Sequence, residues 1–288
     1  MRDQAENLRN FIAIQEQSNV SKTMAVISGK GGVGKSNFSV NFAINIAGRG
    51  KRVLLFDMDI GMGNIDILLG YHSNNSIMDF FNGSLTIKET ISSGPNNISI
   101  IAGGTGLTNL FSLDDELFNR FTEQFNELLQ EYDFILFDMG AGINEDTAKL
   151  LLCVDELIVI TTPEPTSITD AYSVMKYLHS VNSDIPFHLI CNRVGEELQG
   201  KETMNRLQTV MRKFLQKEII PLGYLPDDRT VMLAVSKQIP FILYEPSANI
   251  SKALIDITSR YLNHSFSEKI TYRQSHFLLK IKRFFLGR

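Results

Sequence analysis

The feature that most narrows the fold is a glycine loop at residues 28–37, SGKGGVGKSN. Gly29, Gly34, Lys35 and Ser36 satisfy the phosphate-loop spacing G-x-x-x-x-G-K-[ST]. The apolar run Met24-Ala25-Val26-Ile27 precedes the loop, and a run of helical spacing at 38–47 follows it. Strand, loop and helix in that order cradle phosphate. Glycines let successive backbone N–H groups turn inward, and the helix offers its positive end. The spacing assigns Lys35 to the outer phosphates and the Ser36 hydroxyl to Mg²⁺. Gly31, Gly32, Val33 and Asn37 complete the cradle.

A second lysine, Lys30, lies inside the loop and gives K-G-G-V-G-K-S. This resembles the deviant Walker A motif of the MinD/ParA family of dimerising ATPases. The resemblance implies that Lys30 crosses to the partner subunit's nucleotide, so that ATP and Mg²⁺ bridge a homodimer.

The rest of the chain fits such a core. At 288 residues it suits one large α/β domain or two small ones. Hydrophobic content of 43% and charged content of 21% are those of a soluble globular protein. A formal net charge of −4 gives no general attraction to nucleic acid. Cys153 and Cys191 make no C-x-x-C pattern and read as buried thiols in a reducing cytosol. The polar N-terminus lacks the apolar core of a signal peptide, and no run approaches the ~18 apolar residues of a membrane span.

Short apolar runs at 24–28, 53–57, 98–102, 134–138, 156–161, 187–192 and 219–224 predict strands buried on both faces. Helical patterns at 35–47, 113–132, 145–154, 168–181 and 204–217 lie between them. The alternation predicts an α/β fold, a doubly wound, mostly parallel sheet with helices on both faces. Ligands in such folds sit beyond the carboxyl ends of the strands.

Polar residues collect at those ends. Asp57 and Asp59 close one strand and Asp138 another, the latter with a Walker B shape, Phe134-Ile135-Leu136-Phe137-Asp138. Activating water and neutralising charge are what phosphoryl transfer needs. The family resemblance implies that Asp59 orients the hydrolytic water, and that Asp57 and Asp138 serve Mg²⁺. Met139-Gly140-Ala141-Gly142 resembles the γ-phosphate-sensing loop, with Gly140 where the family often has proline. Asn192, beside Arg193, matches the family's adenine-recognising asparagine. An amide pairs with an adenine edge, although asparagine also turns chains after strands. Pro226 and Asp227 fall in a segment resembling the second adenine-side loop.

The two ends carry their own signals. Asp3-Gln4-Ala5-Glu6-Asn7-Leu8-Arg9 taken alone is an amphipathic scrap. The pattern D-Q-A-x-x-L-R resembles the activator motif of the FlhG (FleN/YlxH) family of flagellar-number regulators. That implies contact with FlhF, a signal-recognition-type GTPase, through Asp3, Gln4, Ala5, Leu8 and Arg9. It also implies flagellar switch-complex (C-ring) partners. At the other end, Phe277, Ile281, Phe284 and Phe285 fall on one helical face bordered by Leu278, with Lys280, Lys282, Arg283 and Arg288 as cations. A terminal helix packed on the core competes with an interfacial anchor for anionic lipid, as in the MinD family; the anchor is the expectation adopted.

The expected organisation is a partner-activating segment at 1–22, an ATPase domain at 23–265 and a membrane-targeting helix at 266–288. The expected place is the cytoplasm and the inner face of the cell membrane. Rival readings are a division-site MinD ATPase and a ParA-type DNA-partitioning ATPase. The latter would use the cations Lys201, Arg206, Arg212, Lys213 and Lys217; the acidic total and the tail argue against nucleic acid. A nitrogenase-type iron protein lacks suitably placed cysteines, and a non-hydrolysing scaffold would need loss of Asp59 or Lys35.

Overall fold

The computed structural model describes residues 21–58, 64–70, 73, 75–103, 114–140, 142–143, 145–267 and 276–286. The segment around Gln4 and the carboxylate of Asp59 lie outside the described residues. The strands are β1 (Lys22–Ile27), β2 (Val53–Met58), β3 (Ile91–Ser93), β4 (Ser99–Ile101), β5 (Phe134–Met139), β6 (Glu156–Thr161), β7 (Phe187–Val194) and β8 (Ile220–Pro226). They form one sheet in the order β3-β4-β2-β5-β1-β6-β7-β8. Every described pairing is parallel except β3 with β4. The predicted architecture is therefore present, with an antiparallel edge strand that the sequence pattern did not reveal.

The helices are α1 (Lys35–Ala47), α2 (Asn64–Leu69), α3 (Ile77–Phe81), α4 (Asp115–Glu131), α5 (Glu145–Cys153), α6 (Pro165–Val181), α7 (Glu197–Leu215), α8 (Arg229–Ser236), α9 (Phe241–Tyr244), α10 (Asn249–Ser267) and α11 (His276–Leu286). Apolar side chains alternate between the two faces of each central strand, as a two-sided parallel sheet requires. In β5, Phe134 and Leu136 join the core under α1 and α10, whereas Ile135, Phe137 and Met139 join the core under α4, α5 and α11. The period of two thus puts Asp138 on the α1 side and Phe137 on the opposite side.

A buried ionic cluster lies at the floor of the sheet, away from the glycine loop. Glu156 accepts a hydrogen bond from Tyr261 Oη at 2.9 Å, ion-pairs with Lys22 and lies 3.2 Å from His188 Nε2. Burial opposes ionisation of Glu156, but His188 and Lys22 outweigh it and bring the carboxyl down to about 2. The cluster fastens α10 to β1, β6 and β7.

The C-terminal helix departs from the lipid-facing expectation. Its apolar face, Phe277, Leu278, Ile281 and Phe285, is buried in the protein core, with Phe284 partly buried. Phe277 packs between Phe125, 5.0 Å away, and Phe137, 5.6 Å away, while Phe285 stacks on Phe118 at 3.5 Å. Lys280 Nζ donates to the Val154 carbonyl at 3.4 Å, leaving Lys282 and Arg283 to solvent. The physical reason is complementarity: Phe118 and Phe125 of α4 and Phe137 of β5 offer ring faces that Phe285 and Phe277 of α11 meet. Among the described residues, no helix is long and apolar enough to cross a membrane.

Candidate functional site

The glycine loop follows β1 at the middle of the sheet, with Gly32 at φ +73° and Gly34 at φ +95°, both in the left-handed region. Gly34 has a second constraint, since a Cβ there would stand 2.4 Å from Asn192 Nδ2. Gly29 is held by space alone. A Cβ would meet the Asp170 carbonyl carbon at 2.2 Å, so the loop lies directly on the first turns of α6. Ser28 Oγ donates to the Lys30 carbonyl at 2.7 Å and fixes the loop's entry. Helix α1 begins at Lys35 with no side-chain cap hydrogen bond at Gly34. Its first N–H groups therefore point into the loop without the usual side-chain acceptor, which suits an anion. Lys35 is buried at the base of this cradle.

Carboxylates flank it. Asp57 and Asp138 are direct neighbours across the β2–β5 pairing, and both are buried. Ser39 Oγ, one turn into α1, donates to Asp138 Oδ1 at 2.8 Å. Asp57 Oδ2 accepts a weak bond from Ile65 N at 3.4 Å, tying it to the start of α2. A hydroxyl at Ser36 and two neighbouring carboxylates form a hard oxygen set. They fit Mg²⁺, which uses few protein ligands and keeps water and phosphate for the rest. Gly142, at φ +83°, needs the backbone freedom of glycine, and Gly140 continues directly from β5.

On the other side of the loop, Gly34, Asn37, Asn192, Arg193, Pro226 and Asp227 line one cleft. Thus every expected base-side residue falls in a single place. Asn192 Nδ2 donates to the Val33 carbonyl at 2.7 Å, so its amide already bridges loop and cleft. Arg193 takes φ +55°, a bend that turns β7 away beside the cleft. The apolar wall, Phe38, Val231, Phe241 and Ile250, was not singled out from sequence. Asp228 is structural. It caps α8 through Thr230 N and reaches Ile250 N, and these bonds outweigh burial to keep its carboxyl below the usual range.

Another residue the sequence reading missed is Glu164. Lys30 Nζ donates to Glu164 Oε2 at 2.6 Å and approaches Thr166 Oγ1 at 3.5 Å. The available signal was the Glu164-Pro165 step straight after β6, because proline at a first helical turn fixes where the preceding side chain sits.

The site accounts for the family assignment. A family model described as an AAA domain matches residues 21–189. The antiactivator FleN of Pseudomonas aeruginosa is 31% identical over 217 residues, covering 75% of this chain and 78% of FleN. The flagellum site-determining protein YlxH of Helicobacter pylori is 34% identical over 211 residues, covering 73% and 71%. The chain belongs to the FleN/YlxH group of MinD/ParA-family proteins. MinD of Pyrococcus horikoshii, solved with Mg-ADP, shares the fold at a TM-score of 0.69 and 24% identity, covering 87% of this chain and all of that one. A ParA-family ATPase from Chlorobium tepidum does so at 0.67 and 21%, covering 84% and 99%.

FleN/YlxH membership sets the chain among P-loop ATPases with roles in flagellar and division-site regulation. The cations that the DNA-partitioning alternative would use lie on α7 and just after it. Lys201 is paired with Glu197 at 2.6 Å, Arg212 grips Glu218 at 2.6 and 2.9 Å, and Lys217 donates to the Ser183 carbonyl at 2.6 Å. Three of the five cations are thus already engaged.

Proposed function

We propose that the protein is an ATP-driven dimerising switch that regulates flagellar number or placement. The observation that carries this reading is one loop with two lysines in different settings. Lys35 is buried at the cradle, whereas Lys30 is partly exposed and faces outward. ATP with Mg²⁺ would be held by 29–37, Asp57 and Asp138, and its base by the cleft at Asn192 and Pro226. Lys30 serves the partner's phosphates, and Asp59 orients the attacking water. Hydrolysis lets the protomers part, and nucleotide state governs partner binding.

Two output segments belong to the same reading. Residues 3–9 present Gln4 to the GTPase FlhF, and C-ring proteins are further partners. Helix α11 is a conditional anchor: it must leave its seat before Phe277, Ile281 and Phe285 reach lipid. Departure exposes Phe118, Phe125 and Phe137, so lipid contact must offset that loss. Each basic residue adds about 1 kcal/mol near anionic lipid, and two tails on one dimer act together.

The test is light scattering behind size exclusion, with Mg-ATP and Mg-ADP, on the full chain and on Asp59→Ala. A dimer with ATP alone, persistent in Asp59→Ala, is expected. A monomer under every nucleotide defeats the reading.

A further inference from the structure

Helix α1 buries an amide that the reading above leaves without a task. Asn41 is 1% exposed and stands between Val40 and Phe42, both in the core. An amide in such surroundings is destabilising unless its donor and acceptor are met. Asn41 meets that demand in two directions. Its Nδ2 donates to the Asn37 carbonyl at 2.7 Å, in the first turn of α1. Its Oδ1 accepts from Ile242 N at 3.0 Å, across 201 positions of sequence. Ile242 is the second residue of α9, a helix of four residues that follows Pro240 and has no side-chain cap beside it in sequence. The first N–H groups of a helix have no acceptor within the helix. Asn41 thus gives α9, from another helix, what a cap residue usually gives locally.

Both ends of this bridge belong to the base-side cleft. Asn37 lines it from α1, and Phe241, the residue before Ile242, lines it from α9. The Phe241 carbonyl accepts from Glu245 N at 3.0 Å and from Ser251 Oγ at 3.3 Å. We propose that Asn41 is a positioning residue for nucleotide binding: by fixing the start of α9, it holds Phe241 as an apolar wall for the base. This rests on the reading above, in which the base occupies that cleft. A helix of one turn is not stable by itself, so the geometry of α9 comes from what it is tied to. Asn41 acts through Phe241 rather than by touching the base. The phosphate cradle at 29–37 does not include α9, so the two halves of the ligand should respond differently to loss of the bridge.

The experiment is calorimetry of the full chain with Mg-ADP and, as its base-free counterpart, Mg-pyrophosphate. The variants are Asn41→Leu, Phe241→Ala and the two together. Asn41→Leu is close in volume but leaves Ile242 N without its acceptor. It is expected to weaken ADP by about tenfold, as for one unmet buried donor, while pyrophosphate stays within about twofold. Phe241→Ala is expected to weaken ADP at least as much, and the double variant no further, since one residue acts through the other. A second readout needs no substitution and stands even where Asn41→Leu fails to fold. In the wild type, the Ile242 amide should exchange its hydrogen several-fold more slowly with ADP than with pyrophosphate, because only the base seats against Phe241. Equal losses of ADP and pyrophosphate in Asn41→Leu, additive losses in the double variant, or equal exchange under the two ligands overturns the inference. If ADP binds the wild type no tighter than pyrophosphate, the base-cleft reading fails and the inference falls with it. A wild type that prefers ADP, with that preference intact in Asn41→Leu, removes the inference alone.

Discussion

The glycine loop and the C-terminal helix are both short segments with clear sequence patterns, yet they differ in what those patterns determine. The loop is defined by backbone geometry. Gly32 and Gly34 take left-handed angles, Gly29 has no room for a side chain, and α1 starts without a side-chain cap. The left-handed angles and the uncapped start are local requirements that the motif carries itself, while α6 and Asn192 add close contacts at Gly29 and Gly34. The helix is defined by an apolar face, which demands burial but does not say where. Lipid or a protein surface can answer that demand, and in this structure rings of α4 and β5 do so.

The comparison can be tested from both sides. The largest effect should come from Lys35→Gln, since Lys35 is a buried cation at the start of α1, where the loop ends. Calorimetry should show ATP affinity reduced on the order of 100-fold, as for loss of one partner in a buried charged contact. Urea unfolding of Phe277→Ala should show a loss of about 3–5 kcal/mol, with ATP affinity unchanged. A smaller loss would measure how cheaply α11 leaves its seat, because a helix that undocks alone caps the penalty. The smallest effect tests charge rather than either segment. Glu156 titrates lower folded than unfolded, so its stabilisation is complete above about pH 4.5 and lost as pH falls toward about 2. Glu156→Gln should flatten the acid limb of the stability profile in that window.

How much was legible follows from the same distinction. The seven predicted strands were readable because continuous apolar runs between helical segments leave few alternatives. Strand β3 was not, because Ile91-Ser92-Ser93 is three residues long and mostly polar. Helix α10 was also missed. Its inward positions include Ser251 and Thr258, which break the apolar period. Both are buried with their hydroxyls bonded to the carbonyls of Glu245 and Leu254. At the site, the glycines, Asp138 and Asn192 were readable as strand-end residues. Glu164 was not, because its significance comes from Lys30, 134 positions away in the chain. The seat of α11 was hidden for a related reason. The spacing of Phe118, Phe121 and Phe125 announces a buried helix face, but not which neighbour completes its cover.

Strand β5 carries a constraint of its own. Phe137 lies beneath the terminal helix, and its chain neighbour Asp138 bonds to Ser39 beside the nucleotide cradle. One peptide link separates the two, on opposite sides of a single pleated ribbon. Inserting one residue ahead of them would exchange their sides, driving a carboxylate into the aromatic seat and a ring toward Ser39 and α1. The terminal helix's berth and the carboxylate beside the glycine loop must therefore keep one common register, and neither can slip without the other.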